Sequence, residues 1–275
     1  MGSTPTILVF DSGLGGLTVF REVAKARPDA RFVYAADDAF FPYGRHDEPV
    51  LIARVIEVMD RLIAEHRPDL VVVACNTAST LVLPQLRARF TVPFVGTVPA
   101  IKPACAGSKS KLVSVLGTVA TVRREYTRAL IRDFSQGCAV KLVGSPRLAE
   151  LAEAALKGEP VADADIAAEI APCFVKADAA RTDTVVLACI APWPVDFVDP
   201  APAIARRVLG LLGASSGKKP LAPPRAVFTS GRMPAPALAA ALARLGFAEG
   251  IPVQEALVQE TSAKEGPVRK ASAGV

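Results

Sequence analysis

Between residue 6 and about residue 213, short apolar runs alternate with longer amphipathic stretches. A run rich in Val, Ile, Leu or Phe fills a strand covered on both faces, and the amphipathic stretch after it supplies the covering helix. The pattern dictates βαβ units and a mainly parallel sheet, so the fold class is α/β. Strands are expected at Thr6–Phe10, Arg31–Ala36, Leu70–Ala74, Phe94–Gly96, Lys111–Leu116, Ala139–Val143 and Thr184–Ala188. Leu51, Val55, Val58 and Leu62, flanked by Ile52, Ile56, Met59 and Ile63, recur at helical spacing and predict one structural helix with a broad apolar face.

The alternation breaks near Pro99–Pro103 and then resumes, which points to two similar lobes. Residues 1–98 with 210–251 are expected to form the first and 99–209 the second. Residues 214–224 read as a linker into a strand at Ala226–Thr229 and a helix at Pro234–Leu245. From about Pro252 periodicity is lost, and 252–275 is expected to be a flexible tail.

Composition narrows the function classes. The chain of 275 residues is 51% hydrophobic and 21% charged, enough to fill well-packed cores. Apolar stretches such as Leu70–Ala74 fall far short of the roughly 20 residues a membrane span needs. The +5 net charge is spread along the chain, which argues against a nucleic-acid partner. Cys75, Cys105, Cys138, Cys173 and Cys189 are scattered, with no Cys-x-x-Cys pair and only His46 and His66 as imidazoles, so neither a disulfide scaffold nor a metal site is expected. Cys105, Cys138 and Cys173 read as packing residues, and the two histidines as exposed helix-flank residues. Met1–Thr6 has neither a charged nor an apolar leader region, and reduced thiols in a cytoplasm are the expectation.

In parallel sheets, ligands bind beyond the carboxyl ends of strands, so the residues that follow each apolar run carry the chemistry. The first run ends in Asp11-Ser12-Gly13-Leu14-Gly15-Gly16, a turn whose amides could face an anion. Thr18 stands where a dinucleotide fingerprint needs its third glycine, and no phosphate-loop lysine follows. A plain strand-to-helix turn is the competing reading. The third run ends in Cys75-Asn76-Thr77-Ala78-Ser79, which places a thiol at a helix amino terminus, where the dipole is expected to lower its pKa. A buried structural cysteine is the alternative. The run Thr184–Ala188 delivers Cys189 to the corresponding edge of the second lobe. Two thiols facing one carbon from opposite sides could act as base and acid, inverting its configuration.

Asp11–Leu17, Pro42-Tyr43-Gly44, Cys75–Ser79, Val98–Pro103 and Leu116-Gly117-Thr118-Val119-Ala120-Thr121 together resemble the glutamate racemases of the aspartate/glutamate racemase superfamily, over about residues 6–247. The resemblance implies two pseudosymmetric lobes with the site in the cleft between them. It implies interconversion of L- and D-glutamate for peptidoglycan synthesis, with no pyridoxal phosphate, metal or other cofactor. Cys75 and Cys189 would be the two bases, with Asp11 and Glu153 assisting proton handling. Ser12, Pro42, Tyr43, Gly44, Asn76, Thr77, Thr118 and Thr121 would bind the substrate. Glu150 competes with Glu153, which is preferred for its distance from Pro146. A homodimer stays open beside a monomer.

One segment departs from that family. Its second cysteine is followed by Thr-His and most of a helix, whereas here Cys189 runs into Ile190-Ala191-Pro192-Trp193-Pro194 before Val195–Pro200 resumes the pattern. A parallel neighbour ordinarily needs a crossover of about a dozen residues or more. The later strand is therefore expected to change place or direction, or the second lobe to rearrange. Without a helix start and an imidazole, a buried Cys189 thiol would have a raised pKa. Three readings remain: a glutamate racemase altered on one side of its base pair, a noncatalytic protein of the same fold binding an acidic amino acid or a protein partner, and a related racemase acting on aspartate.

Overall fold

The computed structural model describes residues 4–177, 180–187, 196–217 and 222–248. The chain opens with β1 (Thr6–Asp11), α1 (Leu17–Ala26), β2 (Arg31–Ala36), α2 (Glu48–His66), β3 (Leu70–Val73), α3 (Asn76–Arg89), β4 (Phe94–Gly96) and α4 (Ile101–Gly107). It continues with β5 (Leu112–Thr118), α5 (Val119–Arg123), α6 (Glu125–Phe134), β6 (Ala139–Ser145), α7 (Leu148–Leu156) and α8 (Asp163–Ile170). The two-residue strands β7 (Lys176–Ala177) and β8 (Ala180–Arg181) pair antiparallel. β9 (Thr184–Leu187), β10 (Asp196–Val198), α9 (Ala201–Leu212), β11 (Arg225–Phe228) and α10 (Pro236–Arg244) complete the described elements.

Two sheets result, one of five parallel strands in the order β11-β2-β1-β3-β4 and one of four in the order β10-β9-β5-β6. Side chains alternate between the faces of a strand. In β1, Ile7 and Val9 pack with α1, α9 and α10, while Leu8 and Phe10 pack with α2 and α3. Every β1 residue is buried, the cause of its unbroken apolar run. The second sheet has smaller apolar clusters, and β6 is only partly covered.

The expected helix is α2, with Leu51, Val55, Val58, Met59 and Leu62 buried. Its stripe runs one step further than expected, because His66 lies four residues beyond Leu62 and is buried, not exposed. His46 is half-buried, its ring stacked on Phe40 at 3.8 Å between centroids. Cys105, Cys138 and Cys173 are buried packing residues as expected.

β10 overturns one part of an expectation, the change of direction. It runs parallel beside β9, Asp196 opposite Thr184, although only residues 188–195 separate the strands. The physical reason is the short return. β9 has four residues, a climb of roughly 13 Å at most, whereas eight residues can reach about 26 Å. After β10, α9 buries Ala201, Ile204, Ala205 and Val208 in the core it shares with α1.

A buried ion pair ties that return to the first sheet. Arg27 bonds both carboxylate oxygens of Asp29, at 2.8 and 3.1 Å, and the Leu212 and Gly213 carbonyls beyond α9, at 3.3 Å each. Asp29 also accepts the Ser216 N–H at 2.9 Å. Arg27 and Asp29 are 3% and 2% exposed, so removing one strands a charge out of water. Asp29→Ala is expected to lower the unfolding free energy by about 3–5 kcal/mol, read as a lower urea midpoint.

Candidate active site

The carboxyl ends of β1, β3, β4, β5 and β10 surround a cavity of about 300 Å³, closed on its far side by α7. Its wall includes Asp11, Ser12, Cys75, Asn76, Thr77, Thr118 and Glu153, which brings together most of the residues singled out in the sequence.

Asp11 organises the first wall. Its carboxylate accepts the Ser12 N–H at 2.8 Å and the Gly16 N–H at 2.7 Å, folding the glycine turn back over the end of β1. A Cβ on Gly16 would meet the Ala74 Cβ at 2.8 Å, so only glycine fits where the turn crosses β3. Tyr34 donates from its hydroxyl to the Gly13 carbonyl at 2.8 Å. The turn is not the open anion cradle its glycines suggest. Asp11 occupies two of its amides, and the Leu14 N–H donates to Glu153 at 3.2 Å. Glu153 sits so close that a Cβ on Gly13 would lie 2.2 Å from its Oε2.

Cys75 caps α3, its sulfur accepting the Ala78 N–H at 3.4 Å and lying 3.5 Å from the Ser12 hydroxyl. The expected depression of its pKa does not occur. Burial, and then the charge of Asp11, push the thiol up to about 12 against the weaker pull of Ser12 and the helix amides. Burial likewise raises Asp11, opposed by the Gly16 and Ser12 amides and by its hydrogen bond with Cys75. Glu153 is raised by burial against the opposing Lys157 ammonium, 3.0 Å away.

The second lobe meets the first through hydroxyls. Thr77, Thr118 and Thr121 form a closed triangle with oxygen separations of 3.1, 3.3 and 2.9 Å. Thr118 caps α5 by accepting the Thr121 N–H at 3.2 Å. Thr121 is thus one step behind the cavity wall. Gly44 lies behind Thr118, a Cβ there falling 3.6 Å from the Thr118 Cβ. The Tyr43 hydroxyl points away from the cavity and donates to Asp37 at 2.7 Å. Pro42 is half-buried and does not line the cavity. Glu153, not Glu150, reaches the cavity, and Glu150 pairs with Arg45 at 2.5 Å. Cys189 lies outside the described residues.

Phe41, Thr97 and Asp199 also line the cavity and were not singled out. Thr97 directly follows β4 and Asp199 directly follows β10, so the strand-end rule applied to those ends finds both. Among the described lining residues there is no Lys, Arg or His. Among the described residues, no three His, Cys, Asp or Glu side chains converge as metal ligands would, and no helix is long and apolar enough to cross a membrane.

Comparison with known proteins places this two-sheet α/β fold in a family. Residues 17–191 match the Asp/Glu/Hydantoin racemase family, and the chain belongs to it. Among its relatives, the glutamate racemase of Brucella anthropi is 56% identical over 219 residues, spanning 75% of this chain and 79% of that one. The glutamate racemase of Sinorhizobium medicae is 53% identical over 240 residues, spanning 82% and 89%. The crystal structure of Escherichia coli glutamate racemase in complex with L-glutamate and activator UDP-MurNAc-ala superposes with a TM-score of 0.79 at 38% identity, covering 89% of this chain and 96% of that one. The Aquifex pyrophilus glutamate racemase gives 0.68 at 26% identity, covering 92% and 100%.

A thiol held near 12 is almost entirely protonated at neutral pH. Iodoacetamide labelling of Cys75, followed by peptide mass spectrometry, is expected to be slow at pH 7. It should accelerate about tenfold per pH unit up to about pH 10, where an unperturbed cysteine levels off near 8.5.

Proposed function

We propose that this chain is a glutamate racemase, interconverting L- and D-glutamate by cofactor-independent proton transfer at Cα and supplying D-glutamate for peptidoglycan in the cytoplasm. The observation that carries the reading is the Cys75 thiol at the amino end of α3, between Asp11 and Ser12 in the cavity that both lobes wall. Relatives named glutamate racemase at more than half identity support the choice of substrate. So does the L-glutamate in the superposed Escherichia coli enzyme.

Cys75 is the base on one face. Its thiol is held protonated beside Asp11, and an amino acid's ammonium placed beside the sulfur favours the thiolate. Asp11 then takes the thiol proton, and the thiolate removes the Cα proton. The raised pKa makes that thiolate a strong base once formed. With no cationic side chain in the described wall, the substrate carboxylates fall to neutral donors: the Ser12, Thr77 and Thr118 hydroxyls, the Asn76 amide and the amino end of α3. Glu153 is the second lobe's acid, poised by burial to exchange a proton.

Cys189 is the proposed base on the opposite face. Supporting this, β9 pairs parallel with β5, Leu187 opposite Leu116, so β9 ends toward the edge that carries Thr118. The Thr-His pair that the family places after this cysteine is replaced by Ile190-Ala191, and the two faces should differ in efficiency.

Incubation with L- or D-glutamate in D2O is expected to give racemate with deuterium at Cα from either enantiomer. Cys75→Ser should lower turnover by about 10²–10⁴-fold. Deuterium uptake with retained configuration would mean that Cys75 works alone, and no exchange at high enzyme concentration would leave only a binding protein.

A further inference from the structure

Asp37 follows β2 directly, is 0% exposed, and does not line the cavity. Its carboxylate gathers hydrogen bonds from three distant segments. Oδ2 accepts from the Tyr43 hydroxyl at 2.7 Å and Arg54 Nε at 3.0 Å, and Oδ1 accepts from Arg54 Nη2 and the Thr229 hydroxyl, both at 2.6 Å. A fully buried carboxylate is tolerated when its lone pairs are used in this way, and the two-pronged contact with Arg54 also fixes its plane.

What the cluster holds is the turn after β2. The Ala39 N–H donates to the same Thr229 hydroxyl at 3.2 Å, and the Arg54 guanidinium lies 5.6 Å from the centre of the Phe40 ring. The turn then puts Phe41 into the cavity wall and Gly44 against Thr118 of the second lobe. The Tyr43 hydroxyl is occupied by Asp37, so it acts through that carboxylate.

We propose that Asp37 is a positioning residue for glutamate turnover: with Tyr43, Arg54 and Thr229 it fixes Phe41 and Gly44, so that the substrate meets a preformed wall. This role rests on the racemase reading. Thr229 is the point at which to test it, because its hydroxyl reaches Asp37 and it does not line the cavity. Thr229→Val keeps the shape and removes both the donor to Asp37 and the acceptor of the Ala39 N–H. It is expected to raise KM for L-glutamate roughly three- to tenfold while kcat stays within about twofold. Thr229→Ser restores the donor and should return KM to the wild-type value. Thr229→Ala provides the same deletion with more room should the valine fold poorly, and Asp37→Asn, which turns an amide toward Arg54, should raise KM further. Thermal melts accompany each variant. A lowered melting temperature with unchanged KM in the folded variants would make the cluster merely structural and overturn the proposal. A wild-type chain that does not turn over glutamate would overturn the racemase reading itself.

Discussion

A carboxylate withdrawn from water must find hydrogen-bond donors, and Asp11 finds two of them in the turn that follows it. That requirement shapes the centre of the molecule. By binding the Ser12 and Gly16 amides, Asp11 bends the chain so that α1 can start, sets the Ser12 hydroxyl beside Cys75, and brings Gly13 under the Tyr34 hydroxyl. Its charge adds to burial, the larger cause, in making the adjacent thiol a stronger base than an exposed cysteine. One side chain thus fixes the shape of the first wall and contributes to the acidity of the atom proposed to do the chemistry.

Beside the cavity the lobes meet through polar groups. Glu153 on α7 bonds an amide of the first lobe, and the three threonines join α3 to α5. The return of α9 to the first core is apolar and is locked by the Arg27–Asp29 pair. The first sheet and α9 thus share one anchored core, and the cavity lies beside the polar contacts.

Most of the fold was legible because the first sheet is covered on both faces. Burial of both faces demands unbroken apolar runs, and β1, β2, β3 and β4 were each found to within a residue. The two-residue strands β7 and β8 are too short to leave any such run. His66 was legible in principle, since it continues the α2 stripe, but residue type was weighed above position. The acidity of Cys75 was not legible. The local signal, a helix amino end, points downward, whereas the forces that win are complete burial and a carboxylate far away in sequence. The same distance hid the occupied turn, because Glu153 reaches Leu14 across 139 positions of chain.

The threonine triangle has a property that follows from hydroxyl chemistry. Each member can give one hydrogen bond and accept two, so a closed ring of three can circulate its protons in either sense. While the ring is closed every O–H is spent inside it, so outward it has only lone pairs to offer, and a hydroxyl that turns outward to donate opens one edge of the ring. Of the three, Thr77 and Thr118 line the cavity, so the closed ring offers an acceptor to an ammonium there, and presenting a donor to a carboxylate costs one of the three hydrogen bonds.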